Sequence, residues 1–208
     1  HISKVLEEAE SLKKMGVTFT KPIINIDLVR DWKNKVVSQL SGGIGQMAKA
    51  RKVNTVQAEA TFLSDNEVQL KNESNTEKIT FDHCIIASGS SSTTIPGIPF
   101  DNENVLTSKT ALDLKKIPKS LLVIGGGYIG LEMGTVFSAL GSSVSLAEFL
   151  PNLLPGADPD LVKPLARKLK KEFNEILLST KITKVEQAKS GAMDVTMEKD
   201  GEEVTKQY

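Results

Sequence analysis

A short apolar segment that leads through a glycine-rich turn into a helical pattern is the strongest constraint on how this chain folds. Residues 121–124 read LLVI and carry no charge, which is typical of a buried parallel strand. Residues 125–130 read GGGYIG and match the spacing G-x-G-x-x-G. Apolar residues then recur at helical intervals between 128 and 140, at Ile129, Met133, Val136, Phe137 and Leu140. The order of strand, glycine turn and helix predicts a βα unit of a doubly wound α/β sheet.

Each glycine of this spacing has its own predicted task. Gly125 allows a tight turn, Gly127 lets a pyrophosphate group approach the backbone, and Gly130 lets the helix pack close to the strand. The N–H groups and partial positive charge at the start of the helix favour phosphate. The pattern therefore predicts nucleotide binding, with a glycine-rich turn that holds no ligand as the alternative.

An acidic residue after the next strand indicates which nucleotide fits. Residues 143–147 read SVSLA and predict a second strand, which ends at Glu148, about 20 residues beyond the glycines. A carboxylate pairs with the 2′,3′-diol of ribose and repels a 2′-phosphate, and residues 149–152 include no lysine or arginine. Glu148 therefore favours NAD(H) over NADP(H). The alternative is a solvated acid at the end of a strand.

Composition excludes several other classes of protein. The 208 residues carry 26 basic and 26 acidic side chains, so the net charge is zero. The chain therefore lacks the positive charge that would indicate a nucleic acid or a membrane surface as a partner. No apolar run approaches the ~20 residues that span a bilayer. Cys84 is the single cysteine, which rules out an internal disulfide, and His1 and His83 lack the spacing of metal ligands. Cys84 lies in the apolar run 79–86, and we expect a strand there with the thiol buried as a small hydrophobic group.

The remaining pattern predicts the following elements. Helices are expected in the first 12 residues, at residues 107–114, and from an N-cap at Asp158 to Lys171. Another helix is expected from an N-cap at Asp27 to about Met47. Within it, Gly42, Gly43 and Gly45 are expected to mark a kink or a close approach by another group. Strands are expected at 53–56, 60–63, 68–70, 79–86, 176–178, 182–185 and 193–197, with turns at 71–78 and 199–201. Residues 95–99 predict an extended connector, and residues 115–119 a linker between two domains.

Four stretches resemble one enzyme family. They are residues 32–43 (WKNKVVSQLSGG), 84–90 (CIIASGS), 124–137 (IGGGYIGLEMGTVF) and 144–150 (VSLAEFL). Together they resemble the bacterial-type dihydrolipoamide dehydrogenases, which are FAD- and NAD-linked pyridine nucleotide-disulfide oxidoreductases. The resemblance implies an α/β fold of two nested three-layer Rossmann-like domains with a small antiparallel β element. Residues 1–118 would be part of the FAD-binding domain and residues 119–208 part of the NAD-binding domain.

The resemblance also implies binding residues by position. Ser88, Gly89 and Ser90 fall where the family contacts FAD. The NAD site would include Gly125, Gly126, Gly127, Tyr128, Ile129, Gly130, Glu132 and Glu148, with a backbone contact from Ile182 to the adenine. Glu132 is similar to the acid near the nicotinamide, although a carboxylate also stabilises the first turn of any helix.

The resemblance further implies an activity and partners for a parent protein. Such enzymes oxidise dihydrolipoamide, carried on the lipoyl domains of 2-oxo acid dehydrogenase complexes, and pass electrons through a cysteine pair and FAD to NAD⁺. They are cytoplasmic homodimers. The cysteine pair and the C-terminal interface domain would lie outside residues 1–208, so we expect this chain to be a fragment that is inactive alone and holds no catalytic residue.

Two departures from the family pattern leave alternatives open. Ala58 and Ala60 replace glycines that the family often has near the FAD adenine, and alanine suits those positions only where φ is negative. Tyr128 resembles the tyrosine of the glutathione-reductase branch. The alternatives are therefore a glutathione- or mercuric-reductase-like flavoenzyme, and a non-catalytic dinucleotide-binding remnant.

Overall fold

The computed structural model describes residues 1–113 and 115–208, which form two compact units. Residues 1–30 and 92–208 form the larger unit, and residues 31–91 the smaller one. The helices are α1 (Ile2–Ser11), a 3₁₀ turn (Leu12–Met15), α2 (Ile26–Ala50), α3 (Ser108–Ala111), α4 (Tyr128–Ala139) and α5 (Pro159–Glu172). The strands are β1 (Glu59–Phe62), β2 (Glu67–Lys71), β3 (Thr76–Thr80), β4 (Ser120–Ile124), β5 (Ser143–Ala147), β6 (Glu175–Leu177), β7 (Lys181–Gln187), β8 (Met193–Lys199) and β9 (Glu202–Gln207).

A parallel sheet in the order β4-β5-β6 is the centre of the larger unit. The predicted strand, glycine turn and helix are confirmed as β4, the loop 125–127 and α4. Val144 and Leu146 of β5 are fully buried, as expected of a central parallel strand covered by helices. The core around them consists of Ala111, Leu131, Phe137, Leu153, Leu169 and Phe173.

The buried face of α4 agrees in part with the predicted stripe, because Phe137 and Leu140 are buried and Met133 packs against the core. Leu131, Gly134 and Phe137 are the buried residues of this helix, whereas Ile129 is 44% exposed. Apolar residues lie on nearly every side of α4, so their spacing alone identified only part of the face that packs. Gly134 faces the buried ring of Phe173, and a Cβ at Gly134 would stand 2.7 Å from that ring's Cζ. An alanine at this position would therefore require the buried ring of Phe173 to shift.

An antiparallel meander of β7, β8 and β9 follows the parallel sheet in sequence. The small antiparallel element was predicted, but its third strand, β9, was not. Residues of β9 are polar and mostly exposed, so they lack the alternation that marks a half-buried strand. The inner face of the meander buries Val185, Met193, Val195 and Met197.

The connector at residues 95–99 makes a tight turn, so the prediction of an extended segment is wrong. Ile98 donates its N–H to the carbonyl of Ile95 at 3.2 Å, and Gly97 has φ +85°. Proline followed by a glycine with positive φ is the pattern of a type II turn. The Gly97 carbonyl then accepts the N–H of Val185 at 3.3 Å, which ties this turn to β7.

In the smaller unit, β1, β2 and β3 form an antiparallel sheet, and the turn between β2 and β3 falls at residues 72–75. The predicted strand at residues 53–56 is absent: these residues have no regular structure. They are exposed, and no described strand pairs with them, so their β-branched content does not produce a strand.

Helix α2 begins earlier than predicted and runs without interruption. Asn25 is its N-cap, because its side chain accepts the N–H of Leu28 at 3.1 Å, while Asp27 lies in the first turn and pairs with Arg30 at 2.7 Å. A Cβ at any of the three glycines would meet no described atom within 4 Å. The expectations of a cap at Asp27 and of a kink or close approach at the glycines are therefore wrong for the described chain.

The segment after β3 contradicts the prediction of a buried strand. The strand ends at Thr80, and Ile85 and Ile86 are 92% and 72% exposed. Cys84 is exposed as well. A strand forms only where a neighbour takes up its backbone hydrogen bonds, and no described strand pairs with residues 81–91.

Helix α3 starts with the predicted cap. Thr107 and Thr110 form a reciprocal capping box, and the helix ends at Ala111. The predicted end at Leu114 lies outside the described residues. Within residues 1–113 and 115–208, no helix is both long and apolar enough to cross a membrane, and no cluster of side chains could hold a metal ion.

Candidate functional site

The glycine loop lies at the carboxyl end of β4, where α/β sheets hold their ligands. Gly125 has φ +106°, which confirms the predicted tight turn, and its N–H extends the β4–β5 ladder by a 2.8 Å bond to the carbonyl of Ala147. Gly127 is the N-cap of α4, and no side chain accepts a hydrogen bond from the first turn there. A Cβ at Gly127 would meet no described atom within 4 Å, so its backbone is open to an approaching group.

Gly130 confirms the predicted close packing of helix and strand. A Cβ at this position would overlap the carbonyl oxygen of Gly125 and would lie 3.0 Å from Cγ1 of Val123. The first turn of α4 can therefore sit against the end of β4 only with glycine at residue 130.

Glu148 is buried beside the glycine loop, with 6% of its surface exposed. Its Oε2 accepts the N–H of Gly126 at 2.6 Å, and its Oε1 accepts the N–H of Leu150 at 2.7 Å. The alternative of a solvated acid at a strand end is therefore wrong. A carboxylate has about four acceptor positions, so two remain for further donors such as ribose hydroxyls.

The segment 149–154 after β5 closes one side of the glycine loop, a feature that the sequence analysis missed. Leu154 donates its N–H to the carbonyl of Gly126 at 2.9 Å, and Leu153 is 5% exposed. Gly126 is buried, and a Cβ there would stand 2.6 Å from Cδ2 of Leu153. The available signal was the pair of leucines after Pro151 and Asn152, since two adjacent apolar residues need a core to pack against.

The other predicted NAD-site residues have separate surroundings. Tyr128 and Ile129, in the first turn of α4, are 70% and 44% exposed, and Glu132 one turn later is exposed. Ile182 lies in β7 and packs against the meander core. Thr180, two residues before Ile182, donates its N–H to the carbonyl of Glu148 at 2.9 Å.

The three residues predicted to contact FAD lie in an exposed segment of the smaller unit. Ser88, Gly89 and Ser90 have no regular structure, and Gly89 has φ +72° with no described atom within 4 Å of its Cβ position. The smaller unit brings no phosphate-binding loop to them, so they do not form a flavin site within it.

A second polar cluster joins the parallel sheet to the meander. Lys206 Nζ donates to Oε1 and Oε2 of Glu175 at 2.8 and 2.6 Å, and the Tyr208 hydroxyl donates to Oε1 at 3.2 Å. The hydrogen bond from Lys206 lowers the pKa of the Glu175 carboxyl below its ordinary value. Burial is the main reason why the pKa of Tyr208 is raised to about 12, and the negative charge of Glu175 is the second. This cluster braces β6 against β9.

Comparison with curated proteins identifies the chain's relatives. Residues 2–207 match the pyridine nucleotide-disulphide oxidoreductase family. The chain is 43% identical over 198 residues to a dihydrolipoyl dehydrogenase of Vibrio cholerae, with 95% of this chain and 41% of the relative covered. The corresponding protein of Haemophilus influenzae is 43% identical over 209 residues, covering 100% of this chain and 43% of the relative. That of Bacillus subtilis is 36% identical, covering 96% and 42%. The chain thus spans about two fifths of the length of these curated relatives.

Solved structures share the fold at lower sequence identity. LpdA from Mycobacterium tuberculosis superposes with a TM-score of 0.83 at 20% identity, covering 98% of this chain and 44% of that one. The flavoprotein disulfide reductase RclA from Escherichia coli superposes with a TM-score of 0.72 at 22% identity, with the same coverage. These likenesses support the Rossmann-like α/β fold. The match over residues 2–207, together with the curated relatives at 36–43% identity, leads to one conclusion: the chain belongs to the pyridine nucleotide-disulphide oxidoreductase family.

Proposed function

We propose that this chain is the nicotinamide-nucleotide part of a dihydrolipoyl dehydrogenase, together with a portion of its FAD-binding domain. The names of the relatives at 36–43% identity support the activity. The proposed division places the FAD-binding portion at residues 1–118 and the NAD-binding portion at residues 119–208. This functional division differs from the two compact units, which are residues 1–30 with 92–208 and residues 31–91. The functional division follows the binding roles that the family resemblance implies.

The observation that carries the proposal is the buried carboxylate of Glu148 beside an open helix N-terminus. Glu148 is fixed by the N–H groups of Gly126 and Leu150, and the start of α4 at Gly127 has no side-chain cap. A dinucleotide needs both features at once, since its pyrophosphate requires N–H donors and its ribose diol requires an acceptor. The residues present therefore fit NAD.

The proposed roles follow from these positions. Gly125 turns the chain, Gly126 is held by Glu148, and Gly127, Tyr128 and Ile129 offer first-turn N–H groups to the pyrophosphate. Gly130 keeps α4 against β4. Glu132 would face the nicotinamide, and Ile182 would contact the adenine through its backbone. Bound NAD⁺ would accept a hydride at its nicotinamide ring, and the chain's own contribution is to bind and orient it.

The flavin half of the reaction is not assembled by the described residues. Ser88, Gly89 and Ser90 lie in an exposed segment, so this structure supports no step through FAD. We propose that they contact FAD in the complete protein. Dihydrolipoamide on lipoyl domains as substrate, a homodimeric assembly and a cytoplasmic location are proposals for that complete protein, and they rest on the family resemblance.

Substitution of Glu148 by alanine tests the NAD assignment. Loss of the charged acceptor should weaken NADH binding by about 1–3 kcal/mol. NADPH binding should weaken less, because the lost bond to the Gly126 N–H is offset by removal of the negative charge that the 2′-phosphate would meet. Fluorescence titration of both nucleotides measures the ratio of their dissociation constants. Glu186→Ala, which removes an exposed carboxylate on β7, is the control. Equal losses for NADH and NADPH would show that Glu148 only stabilises the loop, and would contradict the proposal.

Another flavin disulfide reductase is the second candidate, because Tyr128 is 70% exposed at the start of α4, where it is available to cover a nicotinamide pocket. An activity assay of the complete protein with lipoamide, glutathione and mercuric ion separates the two candidates. Activity with lipoamide supports the first, and activity with glutathione or mercuric ion alone supports the second.

A further inference from the structure

Both polar groups of the Gly126 backbone are bonded within the protein. Its N–H donates to Oε2 of Glu148, and its carbonyl accepts the N–H of Leu154 at 2.9 Å. Leu153 blocks the space where a side chain of residue 126 would lie. Both hydrogen bonds of the Gly126 backbone are therefore made by the two ends of one segment, residues 148–154.

That segment contains a strained residue at the point where it grips the loop. Leu154 has φ +50°, a conformation that leucine rarely adopts. Its carbonyl accepts the N–H of Ala157 at 3.0 Å, so the next turn holds it in place. Strained residues persist where the surrounding contacts determine the conformation, and they are common at ligand sites. In this conformation the N–H of Leu154 points at the carbonyl oxygen of Gly126 and donates a hydrogen bond to it.

We propose that residues 148–154 are a positioning latch for the dinucleotide loop, with the Leu154 N–H and the Glu148 carboxylate as its two grips. The latch fixes the orientation of Gly126, and Gly126 directly precedes the N-cap of α4. It thereby sets where the free N–H groups of Gly127, Tyr128 and Ile129 point before any ligand arrives. The ligand class is the adenosine-diphosphate half of a nicotinamide dinucleotide, so this inference rests on the proposed function.

Two substitutions at residue 154 separate the grip from the side chain. Both Leu154→Pro and Leu154→Gly remove the leucine side chain, but only proline removes the N–H and forbids a positive φ. We expect Leu154→Gly to bind ADP-ribose and NADH within about threefold of the unmodified protein, and Leu154→Pro to bind both at least tenfold more weakly. The substitutions are made in the full-length protein that the gene encodes. Titration measures the dissociation constants of both ligands, and thermal unfolding measures the stability of each variant.

The readouts distinguish positioning from general stability. A latch predicts that ADP-ribose and NADH lose the same factor and that the loss exceeds what the folded fraction explains. In the active protein, it predicts a raised KM for NAD⁺ with kcat retained. Leu154→Pro that is folded and binds within threefold of Leu154→Gly overturns the latch. Failure of the unmodified protein to bind ADP-ribose and NADH overturns the proposed function instead.

A rescue experiment decides the matter where Leu154→Pro does not fold. Gly126→Ala places a methyl group against Leu153 and should push the segment away from the loop, weakening ADP-ribose binding at least tenfold. The double variant Gly126→Ala with Leu153→Ala removes the atom at 2.6 Å and should recover at least threefold of that loss. The methyl group would also lie 3.2 Å from Oε2 and 3.3 Å from Cβ of Glu148, contacts that a shift of a few tenths of an ångström relieves. A double variant that binds no better than Gly126→Ala therefore shows that the segment does not position the loop.

Discussion

At the scale of single residues, Gly126, Gly130 and Gly134 stand where the structure has no room for a methyl group. Each is blocked by a different neighbour: Leu153 at Gly126, the carbonyl of Gly125 at Gly130, and the ring of Phe173 at Gly134. The G-x-G-x-x-G spacing identified Gly130 in advance. It did not indicate Gly126 or Gly134, because their neighbours are distant in sequence.

Alanine should reduce stability at Gly130 and nucleotide binding at Gly127. Gly130→Ala should lower the free energy of unfolding by about 1–3 kcal/mol, since backbone must move to admit the methyl group. Gly127→Ala should change it by less than about 1 kcal/mol, because the space is open and the loss of a glycine cap is partly offset by a stiffer unfolded chain. Urea unfolding measures both, and nucleotide titration should show Gly127→Ala to be impaired. Equal stability losses would contradict this assignment of roles.

At the scale of elements, local signals predicted where several helices begin. Asp158 and Pro159 start α5 as expected, and the Asp158 side chain accepts the N–H of Asp160 at 3.0 Å. Asp27 carries a similar signal at the start of α2, but Asn25 is the cap there. Two acceptors close together in sequence compete for one helix end, and the sequence alone does not rank them.

The cap of α5 makes a measurable contribution to stability. Asp158→Ala should cost about 1 kcal/mol because it leaves first-turn N–H groups without an acceptor. Asp160→Asn is the matched control, since it removes an exposed ion pair with Lys163 that contributes less than about 0.5 kcal/mol. Thermal unfolding of the two variants should rank Asp158→Ala as the less stable, and the reverse order would exclude the cap.

The brace between β6 and β9 should make stability fall at both extremes of pH. The pKa of Glu175 is lowered in the folded protein, so its contribution is present above the ordinary carboxyl pKa of about 4 and is lost as the pH falls below it. The pKa of Tyr208 is raised to about 12, so stability is retained below about pH 10 and lost as the pH rises toward 12.

Glu175→Gln should flatten the acid limb of a plot of unfolding midpoint against pH, and Tyr208→Phe should flatten the alkaline limb. Glu202→Gln, which changes an exposed carboxylate on β9, is the control. Curves that stay parallel to that of the unmodified protein would show that the brace does not titrate with folding.

At the scale of the whole molecule, the two compact units differ in how completely they bury their apolar residues. The larger unit has a parallel sheet with fully buried Val144 and Leu146, and a meander with its own core. No residue of α2 is buried, and Trp32 is 61% exposed, while Ile85 after β3 is 92% exposed. Large apolar side chains exposed in this way favour association between copies of the chain.

We expect the isolated 208-residue chain to purify without flavin and to aggregate. Ser88, Gly89 and Ser90 offer few groups to FAD, because the described smaller unit supplies no phosphate loop beside them. A visible absorbance spectrum checks for flavin, and size-exclusion chromatography checks for aggregates. A yellow preparation would contradict this placement of the FAD site.

The sequence by itself determined the nucleotide-binding unit, because its signals are local. An uncharged strand, glycines at fixed spacing, a following helix and the acid at Glu148 lie within 28 residues of one another, from Leu121 to Glu148. Backbone preferences and glycine geometry act at that range, so β4, the glycine turn, α4 and β5 were all predicted.

Only the tertiary structure decided which groups meet across longer distances. Burial made Glu148 a hydrogen-bonded clamp on Gly126, and packing brought Leu153 and Leu154 against the same loop. The residues around Cys84 have the composition of a buried strand, yet they are exposed here. A strand depends on the neighbours that accept its backbone hydrogen bonds and cover its side chains, and those neighbours are not encoded in the strand itself.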